Sequence, residues 1–440
     1  RGRFEELERK VVAGSRHDLV MEGALRQLTA PPPAEGKPLP THLTARAHRV
    51  VAHGRELLGG LRALAEDPLL QHNETGPLAV LYRETAAMGD AALRTVQTFP
   101  DDPAGQLRLC EGLEAILAVI AERTAALTAA LDRHRRETGA IDTLADLLSR
   151  LRDGQTVELK PLATLAEGLL EEARQAAPLR FLAARPDQPA RCVACHSLLV
   201  AQVVARLVRH EPDLGNRPLE PVLAALVHDA GMVCVPPEVF THPGPLTDAQ
   251  RRAVEGHARA GAELVGRLQP SAAWLVEAAA GHHERLDGTG YPAGLRDTHI
   301  GPLNRLLAVC DVYAALCSPR PHRPARETRT ALADTLLLAE KGALDRRHAE
   351  QLLLLSLYPA GTVVELADGA VGLVVAVHLG RRHPNLPARP VLALLTDSQG
   401  RPLPAPQHLD LAQCDGRSIV RSLPATERRQ LLGKRYPELI

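Results

Sequence analysis

The period of the hydrophobic pattern limits this chain more than any other feature. Through most of its 440 residues, apolar side chains recur at mixed three- and four-residue spacing, the mark of amphipathic helices. After Tyr358-Pro359-Ala360-Gly361 the period changes. Residues 362–366, 371–378 and 391–395 are short and β-branched, separated by Asp368-Gly369 and by Ser398-Gln399-Gly400. The pattern therefore predicts a mostly α protein with a small C-terminal antiparallel β module and a polar, helix-like tail from Pro424. With only 4 Phe, 5 Tyr and 1 Trp, the core must be built from Leu, Ala and Val. The same scarcity argues against aromatic platforms for stacking single-stranded nucleic acid.

Three regions follow from the pattern. Residues 1–155 read as a helical N-terminal region, with helices over 4–28, 43–64, 78–95 and 107–131 and a proline-rich connection over 30–40. No phosphate loop or nucleotide fingerprint occurs there, so a regulatory or interaction role is the expectation. Residues 156–357 are again helical but much richer in His. Thr247-Asp248-Ala249-Gln250 is a capping box opening a helix that runs to about Leu268, Ser271 can cap the next, and Pro302 suits the first turn of a helix over 303–316. Residues 358–440 hold the β module.

Lys plus Arg and Asp plus Glu both number 52, and a net charge of zero argues against coating nucleic acid or an acidic membrane. The 7 cysteines mostly sit singly in apolar segments, which points to a reducing, cytoplasmic setting. No apolar stretch is expected to span a bilayer; the best candidate, over 113–131, is broken by Glu114, Glu122 and Arg123. No secretory signal is visible, and the opening residue, Arg1, allows for a segment removed ahead of it.

Chemistry concentrates between Cys192 and Arg323. In order come His196, His228-Asp229, His257, His282-His283-Glu284 and Asp311, each on or at the end of a different predicted helix. Imidazole and carboxylate together suit divalent transition metals, Fe or Mn first and Zn or Ni next, and so many groups exceed what one ion needs. A two-metal site inside a helical bundle is the natural reading. Adjacent residues do not share a helix face, but a glycine-containing segment soon follows each pair, so helix ends would let both members reach inward. His17, His134, His348 and His408 are expected to be solvated.

Val227-His228-Asp229-Ala230-Gly231 resembles the HD motif of metal-dependent phosphohydrolases. His282-His283-Glu284-Arg285-Leu286-Asp287-Gly288-Thr289-Gly290-Tyr291-Pro292 resembles the hallmark of the HD-GYP family, bacterial cyclic di-GMP phosphodiesterases. The likeness extends through His196-Ser197, Pro245-Leu246-Thr247, Gly261 and Arg320-Pro321-His322-Arg323. It implies an HD-domain helical bundle that hydrolyses cyclic di-GMP to linear pGpG through two divalent metals; a homodimer is a separate expectation. By the same resemblance, His196, His228, Asp229 and Asp311 would bind one metal. Asp229, His257, His282 and His283 would bind the other, with Asp229 bridging. His228 and Asp229 would be catalytic, Arg320 and Arg323 would hold the substrate phosphates, and Tyr291 would lie beside the site.

Two positions depart from the family pattern. Its usual Lys three residues after the HD aspartate is Met232 here, which predicts slow turnover. The Glu that supports a third metal is Cys192 here, which predicts two metals rather than three. A cyclic-dinucleotide receptor of little activity, or a phosphohydrolase acting on another nucleotide, are the alternatives. Cys192-Val193-Ala194-Cys195-His196 also spells the c-type haem attachment motif, but haem would need export and would take His196 from the metal set. Buried thiols on an apolar helix are the default for both cysteines.

Overall fold

The computed structural model describes residues 44–72, 77–96, 100–175, 179–181, 186–321, 323–355, 358, 362–376, 389–414, 416–423, 427–428 and 430. The expected helix over 4–28, the connection over 30–40, His17, His322, and most of the strand end at 377–378 and the tail from Pro424 lie outside them. The chain divides into two compact units: residues 1–135 with 361–376 and 391–440, and residues 136–360 with 377–390.

In the first unit, α1 (Ala45–Ala63), the short α2 (Pro68–His72), α3 (Pro77–Thr95) and the start of α4 (Pro103–Arg152) are described. Val50, Val51, Met88, Ala92, Leu113, Leu117 and Ile120 close one small apolar core among them. The charged run Asp132–Glu137 does not end α4, because it contains no proline and helix-forming residues follow on both sides. The same unit holds a five-stranded antiparallel sheet of order β4-β3-β2-β1-β5. Its strands are β1 (Val363–Leu366), β2 (Val371–Ala376), β3 (Val391–Thr396), β4 (Pro402–Asp410) and β5 (Ile419–Ser422). Val371, Leu373 and Val375 alternate onto one buried face with Val363, Ala393 and Leu395. The mostly helical fold with a C-terminal antiparallel sheet is thus what the change of period predicts, though β4 and β5 were not legible.

The second unit contains the end of α4, then α5 (Lys160–Arg174), α6 (Pro189–Leu207), α7 (Leu219–Val227), α8 (Glu238–Thr241), α9 (Asp248–Leu268), α10 (Ala273–Gly281), α11 (Pro302–Cys317), α12 (Thr328–Glu340) and α13 (Arg346–Gln351). α6 is apolar nearly all round and packs against α5, α7 and α11. Its sequence makes Pro189–His210 the one helix among the described residues long and apolar enough to cross a membrane, rather than the segment over 113–131; 83% of its apolar window is buried inside this unit. The burial accounts for the composition as that of a core helix.

Local signals set the ends of the site helices. Thr247 and Gln250 form the reciprocal capping box that starts α9, and Pro302 opens α11. Ser271 does not cap α10: its hydroxyl accepts from the Gln269 side chain, and Ala272 stands at the helix start.

Candidate metal centre

α7 ends at Val227 and α10 ends at Gly281, so His228-Asp229 and His282-His283 both follow the last helical turn. There the backbone leaves the helix and adjacent side chains can face the same space. His196 comes from the middle of α6, His257 from α9 and Asp311 from α11. Gly231 brings these pieces together. A Cβ there would lie 1.9 Å from the His257 carbonyl oxygen and 2.4 Å from the Gly261 nitrogen, so only glycine lets α9 approach the turn after Asp229.

Two groups of donor atoms converge. Asp229, His257, His282 and His283 form one and His196, His228 and Asp311 the other, with ligand atoms within 4.8 Å of one another in each. The Asp229 carboxylate faces both. Its Oδ1 lies 3.1 Å from His257 Nε2 and 3.4 Å from His282 Nε2. Its Oδ2 lies 3.6 Å from His196 Nε2 and 3.8 Å from His228 Nε2. Asp311 reaches His196 Nε2 at 2.9 Å and His283 Nδ1 at 3.6 Å.

Backbone carbonyls orient the rings. His228 Nδ1 donates to Ala225 O at 2.8 Å, His282 Nδ1 to Ala279 O at 2.9 Å, and His257 Nδ1 to Val254 O. A carbonyl only accepts, so each Nδ1 carries a proton and Nε2 is the ring atom turned into the cluster. This is the outer-shell arrangement that holds metal-ligating imidazoles.

The donor set fits divalent cations. His228 is fully buried, and its Nε2 has no hydrogen-bond partner, nor has His196 Nδ1. Such unpartnered buried atoms are costly unless something charged or polar completes them. His257 and His282 point their Nε2 atoms at each other across 3.2 Å, where two lone pairs would repel without a proton or a cation between them. Burial pushes His228 down to about 4, against the pull of Asp229. Burial and then the neighbouring His282 hold His283 well below its ordinary value. Burial also disfavours a charged His257, but its hydrogen bond to Asp229 holds it above the ordinary value. Burial would raise both carboxyls, yet His228 with the other imidazoles holds Asp229 well down, and His196 does the same for Asp311. Ionised Asp229 and Asp311 and neutral His228 and His283 are the protonation states that metals require.

The remaining expected site residues are arranged as follows. The Tyr291 ring lies 4.7 Å from the His283 ring and 6.3 Å from that of His257. Arg320 is exposed, and its guanidinium has no hydrogen bond or ion pair among the described residues; its charge reaches Cys192. The Arg323 guanidinium is turned elsewhere. It donates to Ala315 O at 2.7 Å, and to Leu316, Ser318 and Pro324 carbonyls at 3.3–3.4 Å, closing the end of α11. Met232 is half-buried and packs against the apolar core. Burial raises the Cys192 and Cys195 thiols, Cys195 to about 11, and both cysteines are free.

Glu284 follows the His pair in the sequence but is not among the expected metal ligands. The structure turns its buried carboxylate away from both groups and onto the backbone of the loop that follows. His348, expected in solvent, is buried beside Glu211, with Nε2 3.2 Å from its carboxylate. His134 and His408 are exposed.

Comparison with known proteins agrees with this geometry. Residues 176–347 match the HD domain model, and residues 363–431 match a KOW domain associated with HD domain. Residues 176–347 are thus an HD domain, and the motif from His282 to Pro292 together with the curated relatives supports the HD-GYP family for it. A cyclic di-GMP phosphodiesterase of Pseudomonas aeruginosa, PA4108, is 36% identical over 42% of this chain and 44% of its own length. The 3'3'-cGAMP-specific phosphodiesterase 3 of Vibrio cholerae is 39% identical over 25% of this chain and 24% of its own. The cyclic di-GMP phosphodiesterase response regulator RpfG of Xanthomonas campestris pv. campestris is 37% identical over 34% and 40%. The chain matches less than half the length of each of these relatives.

Proposed function

We propose that this chain is a cytoplasmic, metal-dependent phosphodiesterase that opens cyclic di-GMP to linear pGpG. The observation that carries the reading is the Asp229 carboxylate, with one oxygen towards His257 and His282 and the other towards His196 and His228. A carboxylate so shared suits a pair of ions. His196, His228, Asp229 and Asp311 would hold one; Asp229, His257, His282 and His283 would hold the other. Divalent ions there, Fe or Mn by the mixed nitrogen and oxygen donors, would supply Lewis acidity and neutralise charge at the scissile phosphate.

The chain's own residues do the positioning. The Nδ1 bonds of His228, His257 and His282 to backbone carbonyls keep the rings aimed inward, so little reorganisation accompanies ligand binding. Arg320, without a competing partner, offers its fork to a substrate phosphate. Arg323 supports that turn: its backbone N–H donates to Arg320 O at 3.0 Å and its carbonyl accepts from Arg320 N at 2.9 Å. In this arrangement Arg323 would reach substrate only by releasing the carbonyls it now holds. Tyr291 lines the edge of the site beside His283.

A second reading is a receptor that binds cyclic dinucleotide with little turnover. It is favoured by Met232, a half-buried thioether that supplies no charge to phosphate. A relative named for 3'3'-cGAMP makes that nucleotide the second substrate to try. Metal-loaded protein incubated with cyclic di-GMP and, separately, with 3'3'-cGAMP distinguishes the readings by chromatography. Accumulating pGpG supports the proposal. Tight binding without product at full metal occupancy would make the chain a receptor, and product from 3'3'-cGAMP alone would change the substrate.

A further inference from the structure

The loop after the His pair, residues 287–296, carries Tyr291, and one buried acid governs how that loop lies. Glu284 is 2% exposed. Its Oε1 accepts the Ala293 N–H at 2.7 Å and its Oε2 accepts the Leu295 N–H at 2.8 Å, so each carboxylate oxygen has a backbone donor. Hydrogen bonds to an ionised acceptor are the strong kind, and two from one carboxylate fix an angle as well as a distance. The rest of the loop is tied to the same short stretch of chain. Tyr291 N donates to His283 O at 3.2 Å, and Gly288 N to Arg285 O at 2.8 Å. Asp287 Oδ1 accepts from the Thr289 N–H at 2.9 Å and from its hydroxyl at 2.7 Å. A Cβ on Gly290 would meet the Arg285 nitrogen at 2.4 Å and the His283 oxygen at 2.5 Å, so the loop crosses directly over the residues that carry the imidazoles.

We propose that Glu284 is a positioning residue and not a metal ligand: it clamps the Ala293–Leu295 backbone so that Tyr291 rests against His283 at the edge of the cluster. The inference deepens the phosphodiesterase reading, on which the role of Tyr291 rests. Without the clamp the two N–H groups would turn to water, the loop would sample other positions, and Tyr291 would meet substrate less often. The ligand groups themselves would be untouched, since neither includes Glu284.

Glu284→Gln in the manganese-loaded 440-residue chain keeps the side chain's size but sets an amide NH2 against one of the backbone donors. Metal per chain should match the native protein. Amide hydrogen exchange over residues 287–296 should speed up, and that over α9 should not. KM for cyclic di-GMP should rise by about tenfold, the worth of roughly one ordering contact, with kcat nearly unchanged. Tyr291→Ala should show the same rise in KM, and the double variant should be no worse than Tyr291→Ala alone, because Glu284 acts through Tyr291. Loss of an equivalent of metal in Glu284→Gln would make it a ligand and overturn the proposal, as would additive KM effects. Exchange at Ala293 and Leu295 in the native protein supplies a check that needs no variant: unprotected amides there would also overturn it. Metal content and exchange decide the clamp even if cyclic di-GMP proves not to be the substrate.

Discussion

Gly231→Ala tests how the site is assembled, because it changes no ligand. The new Cβ would lie 1.9 Å from His257 O and 2.4 Å from Gly261 N. Carbon and backbone oxygen normally approach no closer than roughly 3.2 Å, so relief needs more than about 1 Å of movement between α9 and the turn after Asp229. Both clashing atoms are backbone, and no side chain can swing aside. His257 Nε2 now stands 3.1 Å from Asp229 Oδ1, and a displacement of that size would take it out of the group it shares with His282 and His283. Overpacking of this kind costs about 1–3 kcal/mol. For a domain of this size each kcal/mol lowers Tm by roughly 2–4 °C. Calorimetry and elemental analysis on the same preparation are the assay. The expected outcome is a lower Tm with one equivalent of metal lost, His196, His228 and Asp311 retaining the other. A variant with native Tm and native metal content would refute the argument that this glycine sets the spacing of the site.

Other consequences can be tested together. Met232→Lys should speed turnover of cyclic di-GMP about ten- to a hundred-fold, since a charged contact is typically worth about 1.5–3 kcal/mol; unchanged turnover in a native protein that is already fast would show another cation in that role. Cys192 lies one turn ahead of His196 on α6, with its thiol raised by burial, so it should not recruit a hard third ion, and native protein should stop mainly at pGpG. Complete conversion to GMP over long incubation would refute this. Chelation should lower Tm, because ions binding only the folded state stabilise it by about 2.7 kcal/mol at a hundredfold excess over Kd; an unchanged Tm after verified metal removal would show that the buried imidazoles are satisfied without cations.

Much of this organisation is legible in the residues. The change of period after Gly361 announces the β module, and Thr247 with Gln250 announces the start of α9, because those signals are local. The convergence of His196, His228, Asp229, His257, His282, His283 and Asp311 comes from pattern and resemblance together. What stays hidden depends on distant partners. β4 is not announced, because Pro402, Pro404 and Pro406 lack donors and argue against a strand; their alternate spacing keeps the missing N–H groups on one side, which an edge strand tolerates. His348 reads as solvated because nothing in its neighbourhood of sequence reveals Glu211, far away in the chain. Glu284 has no role in the sequence reading, because the Ala293 and Leu295 N–H groups that bind its carboxylate are brought to it only by the folded loop. The resemblance assigns the Arg323 fork to phosphate, yet only the fold shows the Ala315 carbonyl that occupies it.

The central claim is that Asp229 is shared between two metal ions. It is tested most directly by elemental analysis of anaerobically prepared protein, loaded with Fe or Mn, alongside Asp229→Ala. The account predicts close to two ions per native chain, with most metal and all hydrolysis lost in the variant. Full metal occupancy in Asp229→Ala would contradict it.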